Sequence, residues 1–279
     1  MRPLVLLWLS LAAVSAHAAS PATTAKLKPD PNPSPVNDRF SLRASYFAGK
    51  VATDLTLDST AGLVGTPLSA EDDLGLSKKA SQGRIEIIFR LHDKHRWRID
   101  YAKVSRNGDR RLTRQLVVGN NTYNLNDRVE SLLDWRTLGF TYSYSVLRRD
   151  NYEIGLGAGL TIMNAEARGN VLARNIREDG TGVGALPTLN LDGTFAFARR
   201  WSVGGHIQAF SASVSSTNTD ISGKMSDIHF DVQYRWRPNF AVGLGYSAYK
   251  FDIDVKSADQ PGQFKLDTKG PELFFRASF

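Results

Sequence analysis

The sequence predicts an all-β fold, a transmembrane antiparallel up-and-down β-barrel of ten strands. Three observations predict it. Ten segments alternate apolar and polar residues, and the last ends at the terminal residue, Phe279. Short polar turns join the segments on one side and longer polar connections on the other. The apolar half of the alternation carries Leu, Ile and aromatic residues in every segment. Lipid accepts strands only when every backbone group is paired and the outer wall is apolar, which requires a closed barrel. A soluble β-sandwich or lipocalin-like barrel shares the period of two but turns its apolar face inward. The short–long alternation of connections and the terminal Phe favour the lipid-facing wall.

The N-terminus precedes this pattern. Arg2, the apolar run from Leu4 to Val14 and the small-residue site Ala16-His17-Ala18 read as a secretory signal peptide over 1–18, too short for a spanning helix. Residues 19–38 read as a periplasmic linker, because Pro21, Pro29, Pro31, Pro33 and Pro35 deny it a helix or a central strand. The barrel occupies 39–279. The chain has no Cys, so its stability in an oxidising compartment rests on its sheet and core. Its formal charge is +7, but the basic residues are spread over turns, loops and strand faces. That distribution disfavours nucleic acid and fits outer-membrane lipids and lipopolysaccharide as partners.

The first strand starts at Phe40, with Phe40, Leu42, Ala44 and Tyr46 set against Ser41, Arg43 and Ser45. Its phase slips over Phe47–Val51, which suggests a bulge at Gly49. A loop over Ser59–Ser81 leads to a second strand at Gly83–Leu91, and a third opens with Trp97, Ile99 and Tyr101. Phase is poor from Arg106 to Arg128, so Leu112–Val118 is taken as the upper part of strand three. Strand four is clean from Leu138, and strand five runs Tyr152–Ile162 with Gly155, Gly157 and Gly159 on one face. A Gly-rich loop over Gly169–Ala185 follows. Strand six runs from Leu189 to Phe197, strand seven from Trp201, strand eight to Trp236, and strand nine from Phe240. Turns or loops are expected at Asn218–Gly223 and Lys256–Gln263 before the tenth strand, Leu273–Phe279.

Ten is even, so both termini lie on one side with the short turns 92–95, 148–151, 198–200 and 237–239, which makes that side periplasmic. Trp97, Tyr152, Trp201, Trp236, Phe240 and Phe279 stand beside these turns and form an aromatic girdle at the headgroup boundary.

The C-terminal segment Leu273–Phe279 resembles the terminal signal that bacterial outer-membrane β-barrels present to their assembly machinery, with Ala277 where an aromatic is usual. Together with the signal peptide, girdle and topology, it makes 40–279 similar to that superfamily. The resemblance implies a Gram-negative outer membrane and the barrel-assembly machinery as a partner, and the chain is expected to be monomeric.

With lipid outside, the polar face lines a narrow lumen. It carries Arg43, Arg84, Glu86, Arg90, Arg98, Asp100, Glu153, Asp231, Arg235, Glu272 and Arg276. Charges cut off from bulk water must pair. An Arg–carboxylate ladder plugging the barrel is therefore expected, with Arg235, Arg276, Glu153 and Glu272 at its periplasmic end. The competing reading is a narrow, porin-like path for small anions.

Enzyme readings are weaker. The chain is similar in strand count to omptin proteases, which implies an Asp–His pair and an Asp pair flanking a water near the outer rim. Asp227 and His229 share one inward face, but Asp72 and Asp73 are adjacent and would point to opposite faces of a strand. A lipid A deacylase or acyltransferase needs a Ser–His pair on the lipid side. His17 lies in the signal peptide, His92 and His95 in a turn, and His206 and His229 point inward. The glycines of strand five lack the strand-to-helix turn of a phosphate loop and make room across the lumen instead. No catalytic residue, metal site or cofactor is assigned. The expected role is structural or adhesive, through extracellular loops on a rigid scaffold.

Overall fold

The computed structural model describes residues 34–58, 65–171, 176–216, 219–257 and 261–279. The expected signal peptide and most of the expected linker lie outside the described residues. The strands are β1 (Phe40–Leu57), β2 (Leu68–Ser69), β3 (Lys79–His92), β4 (His95–Arg111), β5 (Leu116–Val118), β6 (Asn121–Tyr123), β7 (Arg128–Arg148), β8 (Tyr152–Val171), β9 (Ile176–Ala198), β10 (Trp201–Ser216), β11 (Thr219–Arg237), β12 (Phe240–Ser257) and β13 (Gly262–Ser278). Ten of them pair antiparallel with their sequence neighbours around a ring. The ring closes where β13 meets β1, with Ser41 opposite Ser278 and Thr56 opposite Gln263. Closure leaves no long edge, so the backbone is satisfied without water.

The expected Gly49 bulge is absent. Phe47↔Gln82 and Lys50↔Lys79 keep one register along β1–β3, and Ser41, Arg43, Ser45, Phe47, Val51 and Thr53 are all buried on one face. What changes at Gly49 is the chemistry of the two faces. Below it, the inner face is polar and the outer face apolar. Above it, Val51 points in, while Lys50, Ala52 and Asp54 point out. The same inversion occurs at Lys103 on β4, Arg136 on β7, Asn164 on β8, Ser226 on β11 and Lys250 on β12. The physical reason is strand length. A tilted strand needs about 9–11 residues to cross a bilayer, whereas β7 has 21 and β9 has 23. The outer half of the barrel therefore stands in water, and there it is built like a soluble barrel, apolar within and polar without. The register shifts that do occur lie at the periplasmic rim, near His92, Ser145, Trp201 and Arg235.

This inversion also corrects the strand limits. Strand four, clean in the sequence only from Leu138, begins at Arg128. Leu112–Val118 does not extend strand three; Leu116–Val118 pairs instead with Asn121–Tyr123 as a separate hairpin. Most of Gly169–Ala185 is strand, paired through Asn164↔Val183 and Gly169↔Glu178. Gly223 and Lys256, expected in loops, belong to β11 and β12.

The outer mouth is covered by a cap made from the 65–78 segment and the β5–β6 hairpin. Leu68, Leu112, Leu116, Tyr123, Val129 and Val171 form its buried core. Thr66 N donates to Val117 O at 2.9 Å, and Gly119 N donates to Leu57 O at 3.0 Å. Arg114 grips Asp73 through Nε (3.0 Å) and Nη2 (2.7 Å) and also donates to Pro67 O at 2.8 Å.

Candidate functional site

Three layers fill the lumen. The lowest lies at the periplasmic mouth. Ser34–Asp38, read from the sequence as the end of the linker, folds against the barrel with Val36 fully buried. Arg90 and Arg148 donate to Val36 O, and Arg235 holds Asp38 through both terminal nitrogens, at 3.2 and 2.6 Å. Arg276 lies 3.5 Å from the same carboxylate. Arg235 and Arg276 are thus brought together by Asp38, not by Glu153 or Glu272. Glu153 instead takes a bidentate bond from Arg90 (2.8 and 2.7 Å), with Arg96 at 3.5 Å and Ser145 donating.

The middle layer is the ion-pair network. Each residue is delivered by the inward parity of its strand. Arg43 donates to Asp231 and Glu272 at 2.9 Å each and lies 3.8 Å from Glu86. Its guanidinium also sits 3.7 Å from the centroid of the buried Phe274 ring. Arg84 joins Glu86 (3.3 Å), Asp100 (3.4 Å) and Asp227 (3.0 Å). Arg98 approaches Asp100 at 3.6 Å and donates to Asn190 and Gln208. Arg96 pairs with Asp192. Room for these groups comes from glycines on facing positions. A Cβ on Gly155 would lie 2.7 Å from Asp192 Oδ2, and one on Gly243 would lie 2.3 Å from the Phe274 ring.

All eleven luminal residues expected from the sequence therefore face inward, and each has a partner of opposite charge. Arg96 and Asp192 join the network without having been assigned to it from the sequence, and His206, read there as inward, lies beside Asp227. Arg96 is in phase with Arg98 and Asp100, so the alternation carried the signal. Asp38 lies outside any strand, and the pattern gives no sign of it.

The upper layer is apolar. Val51, Ala80, Val104, Trp135, Met163, Met225, Phe251 and Leu266 are buried together. Trp135 stacks on Phe264 with centroids 5.5 Å apart and meets Phe251 at 5.2 Å. Small cavities remain on either side of the ion pairs. One, of about 70 Å³, is bounded by Asp38, Arg96 and His206. The other, of about 60 Å³, lies between Arg84 and Asp227 below and Trp135 and Met225 above. The Arg43–Glu86–Arg84 chain separates them.

The protease-like reading of Asp227 and His229 meets this geometry directly. Asp227 pairs with Arg84 and lies 3.7 Å from His206, not beside His229. His229 Nδ1 lies 2.9 Å from Ser247 Oγ, which donates to Glu272 Oε2 at 2.9 Å. His229 Nε2 lies 2.8 Å from Arg43 Nη2 and 3.1 Å from Asp231 Oδ2, so the carboxylate beside this imidazole is Asp231, which Arg43 also holds. His229 is thus buried inside the Arg43–Asp231–Glu272 cluster and does not stand at the outer rim. The second pair is split as well: Asp72 faces Lys78 at 2.7 Å, and Asp73 faces Arg114. Among the described residues, no cluster of three or more His, Cys, Asp or Glu is arranged for a metal ion.

The outer wall has its own order. Leu189, Leu244 and Phe230 are exposed side chains on outward faces. The girdle residues Trp97, Tyr152, Trp201, Trp236, Phe240 and Phe279 join a wider ring: Trp97 meets Tyr142 at 5.0 Å, Trp201 meets Tyr234 at 5.0 Å, and Trp236 meets Phe240 and Phe275. Tyr46, Tyr101 and Tyr246 mark the opposite boundary, just below the level where the outer face turns polar. An exposed apolar band between two aromatic rows, around a charged interior, is the wall of a membrane barrel.

Comparison agrees at the level of fold. The outer membrane protease OmpT from Escherichia coli superposes with a TM-score of 0.54 at 12% identity, over 86% of this chain and 97% of that one. The Neisserial surface protein A aligns over 86% and 97% at 13% identity, with a TM-score of 0.35. Ail, the attachment invasion locus protein of Yersinia pestis, aligns over 84% and 99% at 9% identity, with a TM-score of 0.34. No protein-family model matches the chain, and no curated protein matches it. The chain has the fold of a closed, ten-stranded membrane β-barrel. At 12% identity the likeness to the protease shows the fold alone, so the role must be argued from the chain's own residues.

Proposed function

We propose that this protein is a non-conducting, non-enzymatic barrel that works through its extracellular surface, in a structural or adhesive role. The observation that supports this reading most is the closure of the lumen at successive levels: the Asp38 clasp, the ion-pair network, the Trp135 layer and the cap. Desolvated charges that are mutually paired give a rigid interior, and removing one partner strands the other. The cap in turn has its own core, so it presents a shaped surface and not a set of free loops.

Planar-bilayer recording from the purified protein tests the closed lumen: no steady unitary current is expected, and reproducible open channels overturn the reading. Attachment assays test the surface role. Cells displaying a variant with 113–126 replaced by a short Gly/Asn turn should attach less well to one another or to epithelial monolayers than cells displaying the intact protein. Equal attachment by both overturns it.

A further inference from the structure

Three lysines line up across the closure of the barrel. Lys50 of β1 stands directly opposite Lys79 of β3 on one side and Lys269 of β13 on the other. All three point outward and are exposed. Like charges placed opposite one another in a ladder repel, so the row is unfavourable without a counter-ion.

Several other cations on this wall have one. Lys250 lies 3.7 Å from Asp267, Lys265 4.0 Å from Asp252, Lys103 3.5 Å from Asp134, and Arg136 2.6 Å from Asp134. Among the described residues, no ion pair forms at Lys50, Lys79 or Lys269. Most of their outward neighbours are small: Ala48 and Ala52 flank Lys50 along β1, and Ala248 stands opposite Lys269; the nearest carboxylate along the wall, Asp267 beside Lys269 on β13, pairs with Lys250 instead. The row is therefore an open basic shelf.

Its depth is defined. Tyr46, opposite both Gly83 and Leu273, and Tyr246, opposite Pro271, belong to the outer aromatic row immediately below. Below them the wall is apolar, with Leu42, Ala44, Ile85, Leu273 and Phe275 outward. The lysines thus sit at the headgroup level of the outer leaflet, above a surface suited to acyl chains.

We propose that Lys50, Lys79 and Lys269 bind the phosphate groups of a lipopolysaccharide molecule in the outer leaflet. Lysine ammonium groups act as mobile point charges on phosphate, and basic residues at a membrane surface recruit anionic headgroups. Lys79 and Lys269 are separated by two inter-strand spacings, about 10 Å. That span suits a headgroup bearing more than one phosphate better than a single phosphodiester. The lipid supplies the counter-charge that none of the three lysines finds on the wall.

Native mass spectrometry in detergent, with a lipopolysaccharide truncated to its phosphorylated anchor and inner sugars as the probe, tests the site. The Lys50→Gln/Lys79→Gln/Lys269→Gln variant should bind about tenfold or more weakly, while Lys250→Gln/Lys265→Gln, which removes paired lysines, should bind as the wild type does. The dephosphorylated lipid should bind the wild type as weakly as the intact lipid binds the triple variant. Without lipid, the triple variant should unfold at the same temperature as the wild type or higher, since repulsion has been relieved, and this also shows that it is folded. Wild-type-like binding by the triple variant overturns the proposal. So does equal competition, phosphate for phosphate, by phosphatidylglycerol micelles.

Discussion

Leu156 and Thr161 sit on the same strand and face different solvents. Leu156 is exposed on the lipid wall, and Thr161 is buried in the lumen, accepting from Gln208 at 3.3 Å. Leu156→Arg is expected to cost about 2–4 kcal/mol in a bilayer, as a cation at mid-wall does. The cost should grow in urea unfolding titrations as the lipid chains lengthen. The effect of Thr161→Arg is set by space and by Arg98 nearby, so it should not follow lipid thickness. The same response at both positions would argue against a lipid-facing wall. Outside the membrane, the Arg114 guanidinium hydrogen-bonded to Asp73 holds that carboxyl below its ordinary value. The pair therefore contributes stability above the unfolded carboxyl pKa, and this is lost as pH falls through the folded one. Both partners are partly exposed, so the loss should be at most about 1 kcal/mol. Acid titration of cap unfolding should show it in the wild type, and Arg114→Gln should abolish that part. At this scale the sequence was legible wherever a residue obeyed strand parity, as Arg43 and Glu272 do. It was silent on Asp38, which reaches the lumen from a turn.

The strands read well where they cross lipid and poorly above it. β8 is regular from Tyr152 to Ile162, then changes character at Asn164 because its outer face meets water. The apparent phase slip at Gly49 has the same cause, and so does the late start assigned to β7: Trp135 points inward like Thr141, but its chemistry is the opposite. Alternation of polarity tracks parity only while the solvent on each side stays the same. The cap was illegible for a different reason. Leu68, Leu112 and Leu116 come from separated segments, and no short-range pattern joins them. Leu116→Ala should destabilise the cap by about 2–5 kcal/mol, as Leu truncation in a packed core does. Trypsin on intact cells should then cleave at Arg111 or Arg114 in the variant but not in the wild type, while the barrel still migrates as a folded species in unheated gels. Unchanged protease resistance would mean that the cap core does not hold the connections in place.

The whole molecule is one closed sheet with two interiors. Its periplasmic half is an inverted core, charged within and apolar without. Its outer half is an ordinary core, with Trp135 and Phe251 inside and Lys50 and Asp252 outside. Strand number and closure follow from the alternation and the turn pattern. The boundary between the halves follows from strand length against bilayer thickness. A Cys-free chain makes this directly measurable. Single cysteines placed in turn from Ser41 to Asp54 in vesicles, each carrying a nitroxide, report access to oxygen in lipid and to a water-soluble nickel reagent. The account predicts lipid access at 42, 44 and 46, water access at 50, 52 and 54, and protection at every odd position from 41 to 53. A switch of the protected set from odd to even positions across Gly49 would contradict it.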